Sequence, residues 1–234
     1  MNLIVLYKED IHDGVAEITG RKLEHILSFI KPSVGDTLRT GILNGLAGEG
    51  TVTDITDQKL TLTLSMYETP PDPLPLKLII AMPRPKVLNR VIQHASSMGV
   101  KEIYIIKTWR VEKSYWETPM LEKENLHRQM ITGLEQGKDT MLPKIEIRKR
   151  FKPFVEDELP SIVKGSMALA AHPAANSPCP RGADLPVTLA IGPEGGFIPY
   201  EINALQDTGF KPVSLGERIL RVETAVPFLI GRLF

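Results

Sequence analysis

Two hydrophobic periods divide the chain near residue 70. Before it, apolar and polar residues alternate over short stretches rich in Thr, Val, Ile and Leu, which predicts β-strands. The exception is Thr19–Ile30, where apolar residues recur at helical spacing behind a threonine cap and predict a helix. Such short elements are typical of a β-meander or a small β-barrel. The predicted strands are Leu3–Leu6, Thr37–Leu43, Thr51–Ile55 and Lys59–Met66.

A proline-rich segment separates the two patterns. Residues Thr69–Pro75 contain four prolines, which neither a central strand nor a helix accommodates. We therefore predict a β domain at residues 1–70, a linker at 71–75 and a second domain at 76–234.

Beyond residue 76, predicted strands alternate with predicted helices. Several of the strands are apolar throughout, as strands are when helices cover both faces of a parallel sheet. The second domain is therefore predicted to be α/β. Its predicted strands are Leu76–Met82, Glu102–Ile106, Lys144–Ile147, Ser166–Ala171, Pro186–Ile191 and Pro212–Leu215. Its predicted helices are Lys86–Ser97, Pro119–Gln136, Phe151–Glu158, Pro199–Asp207 and Arg221–Leu233.

Composition excludes several classes of protein. No apolar run approaches the ~18 residues of a membrane span, and the first residues lack the features of a signal peptide. The single cysteine, Cys179, excludes a disulfide framework and a CxxC metal site. We expect a soluble cytoplasmic protein with no metal and no membrane association.

The formal net charge of zero conceals an uneven distribution. Residues 1–72 carry a net charge of −5, residues 77–152 carry +8, and residues 153–234 carry −3. The basic middle segment suits phosphate binding, although on this feature alone an ordinary solvated surface with aromatic residues in the core is the favoured interpretation. Three aromatic residues that are able to stack on bases lie among its cations: Trp109, Tyr115 and Trp116.

The most distinctive motif is the glycine-rich stretch Ala190–Phe197, of sequence AIGPEGGF. Its three glycines let backbone groups approach a ligand closely, and it follows the carboxyl end of an apolar strand, where α/β sheets bind ligands. The chain contains neither GxGxxG nor GxxxxGK[ST], so a dinucleotide fingerprint and a P-loop are excluded. A tight turn needs fewer glycines, and we interpret the motif as part of a site.

Two further loops follow predicted strands. In Val213–Ala225, Arg218 and Arg221 precede the last helix, where the helix dipole disfavours cations. Such cations imply either an anionic ligand or an ion pair with Glu194, Glu217 or Glu223. In the other loop, His172 is a candidate general base or a residue that shapes the loop. The three loops together outline one pocket.

Both loop motifs resemble signatures of the RsmE-type family of small-subunit (16S) ribosomal RNA uridine-N3 methyltransferases, of the SPOUT class. Gly192–Phe197 with Glu201 resembles the first signature, and Ser214–Ala225 resembles the second. Residues near His25 and Asn44-Gly45 resemble the family's PUA-like RNA-binding barrel. The resemblance implies S-adenosylmethionine as the cofactor, a deep trefoil knot and a homodimer. It also implies that the partner is ribosomal RNA or the small ribosomal subunit.

The resemblance also implies roles for individual residues. Arg221, with Arg218 second, would stabilise negative charge on the uracil oxygens, and Glu223 or Glu194 would accept the N3 proton. The residues implied to bind RNA are Lys31, Arg84, Arg90, Arg110 and Lys138. The residues implied to bind the cofactor are Leu169, Ala170, Ala171, His172, Ile191, Gly192, Pro193, Glu194, Gly195, Gly196, Ser214, Leu215, Gly216, Ile219 and Leu220.

Two departures from the family pattern leave alternatives open. Ser97 stands where the family usually has an acidic residue, and Gly137-Lys138-Asp139 stands where it usually has a serine and, two positions later, an arginine. A methyltransferase acting on another ribosomal or transfer RNA position is one alternative. A non-catalytic RNA-binding or ribosome-assembly protein is the other, although it would need no cofactor loops.

Overall fold

The computed structural model describes residues 2–234, and Met1 lies outside them. The described residues form two compact units. One contains the residues up to Asp72 together with Leu134–Leu142, and the other contains Pro73–Gly133 and Pro143–Phe234. The sequence prediction had placed 134–142 in the C-terminal domain. The division into a barrel at 1–70, a linker at 71–75 and a catalytic domain at 76–234 stays a prediction.

The first unit is built on one curled, half-barrel sheet. Its strand order is β1-β4-β5-β6-β3-β2, with β1 parallel to β4 and the other neighbours antiparallel. The strands are β1 (Ile4–Leu6), β2 (Ile11–His12), β3 (Val15–Ile18), β4 (Thr37–Ile42), β5 (Ala47–Ile55) and β6 (Leu60–Glu68). The helical elements are a 3₁₀ turn (Lys8–Asp10), α1 (Gly20–His25) and a π-helical turn (Ile26–Ile30).

The hairpin β2–β3 is absent from the sequence prediction. Its turn is Asp13-Gly14, and both residues have positive φ, 48° and 79°. This backbone is typical of tight hairpin turns, which favour Asp-Gly. The turn signal was therefore present, but strands of two and four residues are too short to show a hydrophobic period.

Polar contacts explain why residues 134–142 belong to the first unit. The buried Thr140 donates its hydroxyl to the Gly45 carbonyl at 2.5 Å, and Asn44 N donates to the Thr140 carbonyl at 2.8 Å. The side chain of Asn44 accepts from Leu142 N at 2.9 Å. Sequence periodicity carries no information on such pairing between distant segments.

The second unit is built on a six-stranded parallel sheet of order β12-β10-β11-β7-β8-β9. Its strands are β7 (Leu76–Ala81), β8 (Glu102–Ile106), β9 (Lys144–Arg148), β10 (Met167–Ala171), β11 (Val187–Ile191) and β12 (Lys211–Val213). Its α-helices are α2 (Pro85–Ser97), α3 (Lys123–Gly137), α4 (Phe151–Pro153), α5 (Leu159–Ile162), α6 (Pro199–Asp207) and α7 (Val222–Leu233). The last four residues of α3, from Leu134 on, belong to the first unit. A π-helical turn at Phe154–Glu158 joins α4 to α5, and 3₁₀ turns occupy Lys113–Glu117 and Pro119–Leu121.

The predicted α/β architecture is confirmed, and most predicted elements match the observed ones within a few residues. All five residues of β11 are buried, as expected for a strand covered on both faces. The trefoil knot that the resemblance implies stays a prediction. No helix in residues 2–234 has both the length and the apolar character needed to cross a membrane.

Strand order decides which loops meet. Because β12, β10 and β11 are adjacent and parallel, the segments that follow them leave the sheet at the same edge. Those segments begin at His172, Gly192 and Ser214 and carry the three sequence motifs. The carboxyl edge of this half of the sheet is therefore where a ligand site is expected.

Candidate active site

The three loops enclose one pocket of about 90 Å³ that opens to solvent. The residues of the predicted cofactor site that line this pocket are Ala171, His172, Ile191, Gly192, Pro193, Glu194, Leu215, Gly216, Ile219 and Leu220.

Five residues of the predicted cofactor site lie outside the pocket lining. Leu169 and Ala170 are buried within β10, behind the lining residue Ala171. Ser214 is occupied in a backbone pairing, since its N donates to the Ser177 carbonyl at 2.8 Å. Gly195 and Gly196 form the far side of the glycine-rich turn. Their role as direct cofactor contacts stays a prediction.

Gly192 is the glycine that the loop requires most strictly. A Cβ on Gly192 would lie 2.9 Å from Phe197 N and 3.2 Å from the Cα of Gly196, both of them backbone atoms. Gly196 has φ +70°, and its N donates to the Pro193 carbonyl at 2.7 Å. The loop therefore folds back on itself and leaves no space for a side chain at Gly192 on the wall of the pocket.

Two carboxylates hold the loop in place. Glu194 accepts a hydrogen bond from Arg84 N at 3.0 Å. Glu201, which is only 2% exposed, accepts from Ile198 N at 2.9 Å and from Trp109 N at 2.7 Å. Glu201 thereby caps the start of α6 and fastens the loop after β8 to the loop after β11. The sequence motif included Glu201, but nothing in its pattern revealed this second contact.

We expect Glu201→Gln to destabilise the protein by about 2–3 kcal/mol, because hydrogen bonds to a buried charged group contribute ~1.5–3 kcal/mol. The amide keeps one acceptor oxygen and turns its NH₂ group toward the other backbone donor. For a chain of this size we expect a fall in Tm of about 5–10 °C, measurable by calorimetry. Glu117→Gln, at an exposed position, is the control. Equal melting temperatures for the two variants would contradict the anchoring role.

Arg218 and Arg221 are both exposed, and Arg218 lines the pocket. Arg221 immediately precedes α7, and its carbonyl accepts from Thr224 N and Ala225 N. Among residues 2–234 no carboxylate pairs with either guanidinium, whereas Glu223 lies 4.0 Å from Arg90 Nη1. The ion-pair alternative for these two arginines therefore lacks its partner, and their position favours an anionic ligand.

Three of the residues predicted to bind RNA belong to the same unit as the pocket. Arg84 precedes α2 and holds Glu194 through its backbone, and Arg90 faces Glu223. Arg110 donates from Nη1 to the Gly195 carbonyl, and its side chain covers Gly195. Lys31 and Lys138 are exposed in the other unit, both in the left-handed conformation. The RNA-binding role of all five stays a prediction.

Four residues line the pocket that the sequence prediction did not assign to it: Pro173, Val213, Val222 and Ala225. Val222 and Ala225 belong to the buried face of α7, which continues through Val226 and Leu229. The amphipathic pattern of the sequence identifies such residues as core. Only the folded structure shows that the first turn of α7 reaches the pocket. They give the pocket an apolar wall beside the polar loops.

His172 is held at the edge of the pocket by its own loop. Its N donates to the Val213 carbonyl at 2.9 Å, and its Nδ1 accepts from Ala174 N at 3.3 Å. These contacts favour the interpretation of His172 as a residue that shapes the loop.

Cys179 should be chemically inert in the native protein. The residue is 1% exposed, and burial raises the pKa of its thiol although Arg232 partly opposes the effect. Since the thiolate is the reactive form, we expect a disulfide-exchange reagent to leave the native protein unmodified and to label one thiol after denaturation in guanidinium. Rapid labelling of the native protein would contradict this assignment.

Comparisons with known proteins agree with this geometry. A family model described as RNA methyltransferase domain matches residues 70–233. The ribosomal RNA small subunit methyltransferase E of Treponema pallidum (strain Nichols) is 29% identical over 233 residues, which cover 96% of this chain and 87% of that protein.

Two solved structures share the fold, each with a TM-score of 0.74 and covering 98% of this chain and 96% of the other. One is a ribosomal RNA small subunit methyltransferase E from Neisseria gonorrhoeae bound to S-adenosyl methionine, 18% identical. The other is a putative methyltransferase from Legionella pneumophila in complex with the cofactor SAM, 22% identical.

The parallel sheet, with its pocket between three carboxyl-edge loops, therefore defines an RNA methyltransferase of the SPOUT class. Within that class, the chain belongs to the RsmE family. The resemblance found in the glycine-rich and arginine-containing loops is thereby confirmed along the full length of the chain.

Proposed function

We propose that this chain transfers a methyl group from S-adenosylmethionine to N3 of a uridine in small-subunit (16S) ribosomal RNA. The name of the Treponema relative supports the RNA, and the bound cofactor in the Neisseria structure supports the methyl donor. The observation that carries the proposal is the pair of unpaired arginines beside a pocket walled by the glycine-rich loop.

The residues of the pocket fit the cofactor. Gly192 has no room for a Cβ because the loop folds back on itself there, and this leaves the loop backbone without a side chain at that point of the pocket wall. Backbone groups of the three loops would hold the cofactor, and the apolar side chains of Val222 and Ala225 would cover part of it. When bound, S-adenosylmethionine supplies an electrophilic methyl group.

The chain's own residues would act on the uracil. N3 carries a proton between two carbonyls, and losing it places negative charge on the flanking oxygens. Arg221 and Arg218 would stabilise that charge. Glu194 lines the pocket and Glu223 does not, so the geometry favours Glu194 over Glu223 as the acceptor of the N3 proton. Because pairing hides N3, the target must be unpaired or extruded.

The two departures from the family pattern have structural explanations. Ser97 Oγ donates to the His94 carbonyl at 2.9 Å within α2. Asp139 is 3% exposed and accepts from Met141 N at 2.8 Å, so it stabilises the turn after α3. Neither observation favours a different RNA position, so 16S RNA remains the proposed substrate.

One experiment tests the substrate directly. The protein is incubated with labelled S-adenosylmethionine and with 16S RNA or small-subunit particles from a strain that lacks the gene, and the labelled nucleotide is then mapped. We expect the label at N3 of one uridine. A label at another ribosomal or transfer RNA position would replace this proposal, and the absence of any label would indicate a non-catalytic RNA-binding protein.

We also propose a homodimer located in the cytoplasm. Phe228 and Phe234, on and after α7, are large apolar side chains exposed to solvent, which self-association would bury. A ribosomal RNA substrate supports the location. Light scattering coupled to gel filtration tests the dimer, and a monomeric mass at micromolar concentration would contradict it.

A further inference from the structure

A second concave surface lies over β8 and β9, at the same edge of the parallel sheet as the pocket. We call it the aromatic groove, and it encloses about 510 Å³. None of its aromatic or lysine residues lines the first pocket. The groove residues that carry the argument are Trp109, Phe151, Tyr200, Lys107, Lys113, Lys149 and Lys152.

Two of the three aromatic side chains of the groove, Trp109 and Tyr200, are presented to solvent, and Phe151 is partly buried. Trp109 is 81% exposed and Tyr200 is 55% exposed, while the rings of Tyr200 and Phe151 lie 6.4 Å apart. Trp109 is nevertheless on a fixed backbone, because its N is bonded to the buried Glu201. An exposed tryptophan on an anchored loop is a suitable platform for a nucleobase, since every base has a face that stacks.

The charge of the groove matches a phosphate chain. Its only acidic lining residue is Glu201, whose two oxygens are occupied by backbone donors. Of the four lysines, Lys152 lies 3.7 Å from Glu156 in an exposed pair of the kind that contributes little. For the other three, no carboxylate partner exists among residues 2–234. Part of the +8 charge of residues 77–152 is therefore concentrated on this surface.

The strand order sets the distance between the two sites. β7 separates β11, which carries the glycine-rich loop, from β8 and β9 beneath the groove. Two to three strand spacings correspond to roughly 10–15 Å.

We propose that the aromatic groove binds an unpaired nucleotide of the substrate RNA near the target uridine, with its base stacked on Trp109 and its phosphates beside the lysines. This inference rests on the proposed function, because it assigns a second contact for the same RNA.

Fluorescence anisotropy with a labelled single-stranded oligouridylate tests the stacking contact. We expect Trp109→Ala to weaken binding by about 5- to 100-fold, the loss typical of one stacked base. Trp109→Phe keeps an aromatic face and should recover most of the affinity. Binding of S-adenosylmethionine should stay within about twofold of the wild-type value, because Trp109 does not line the pocket.

The salt dependence of binding tests the lysines. The double variant Lys149→Ala with Lys152→Ala should make the slope of log affinity against log salt shallower by about 1.4, since each phosphate contact on a single strand contributes about 0.7. Lys164→Ala with Lys211→Ala removes the same charge from exposed positions outside both sites and should leave the slope nearly unchanged.

Three results would overturn the proposal. If Trp109→Ala binds the oligouridylate with wild-type affinity, the stacking contact is excluded. If the two lysine double variants have equal slopes of log affinity against log salt, a specific contact between the groove lysines and the phosphates is excluded. A change of oligomeric state in Trp109→Ala would assign the groove to an interface between copies. Methylation by the wild-type chain is measured separately. If the groove variants bind RNA normally, the proposed function still stands. If the wild-type chain transfers no methyl group, the binding results for the groove are unaffected.

Discussion

We expect Gly192→Ala to lower the affinity for S-adenosylmethionine by about 10- to 100-fold, or ~1.4–2.8 kcal/mol. The added Cβ would lie 2.9 Å from Phe197 N, closer than such atoms approach in folded proteins. Because the obstructing atoms belong to the backbone, the loop itself must move, and the backbone groups proposed to hold the cofactor move with it. Isothermal titration calorimetry with S-adenosylmethionine measures the effect.

Gly231→Ala is the matched control for this prediction, because it adds the same methyl group at an exposed position of α7 outside the pocket lining. Its Cβ would meet no atom within 4 Å beyond its own helix, so no backbone has to move. We expect its cofactor affinity to stay within about threefold of the wild-type value. Unchanged binding in Gly192→Ala, with circular dichroism showing a folded protein, would refute the assignment of this loop to the cofactor.

The second large effect is expected at Arg221. Replacing it by alanine should slow methyl transfer by about 100- to 1,000-fold, the loss usual for one group that stabilises developing negative charge. Cofactor affinity should change by less than about tenfold, because Arg221 does not line the pocket. Single-turnover transfer from labelled S-adenosylmethionine to the RNA isolates the chemical step.

Arg218→Ala distinguishes the roles of the two arginines. Arg218 lines the pocket, so its loss should weaken binding of the cofactor or of the RNA together with the rate. Arg221→Lys keeps the charge without the planar fork and should restore only part of the rate. A wild-type rate in Arg221→Ala would remove this residue from the mechanism and leave Arg218 as the candidate.

The sequence predicted the parallel sheet well because several of its strands are almost entirely apolar and its longer helices have a helical hydrophobic period. β11 is an example, since Val187–Ile191 is buried at every position and has no polar face. The order of the strands is a different matter. Nothing in the period of β10 or β12 shows that they are neighbours, so the meeting of their loops at one pocket rested on the motifs and on the family resemblance.

The candidate site was predicted less completely than the fold. The glycine-rich loop is recognisable in the sequence because it has more glycines than a turn needs, and the arginine-containing loop because it places cations before a helix. Val222 and Ala225 instead fit the apolar pattern of an ordinary buried helix face. Contacts between distant segments left no local signal at all. The hydrogen bond from Trp109 N to Glu201 and the pairing of Arg90 with Glu223 are of this kind.

Glu201 also connects the two proposed sites, the cofactor pocket and the aromatic groove. Its role is structural, because it takes no part in the methyl transfer. Its carboxylate ties the Trp109 loop to the start of α6, so a displacement of one loop is transmitted to the other. Linkage requires that such coupling act in both directions by the same factor. Any strengthening of cofactor binding by an RNA that fixes the Trp109 loop would therefore equal the strengthening of RNA binding by the cofactor, and the order in which the two arrive would be immaterial to the stability of the complex.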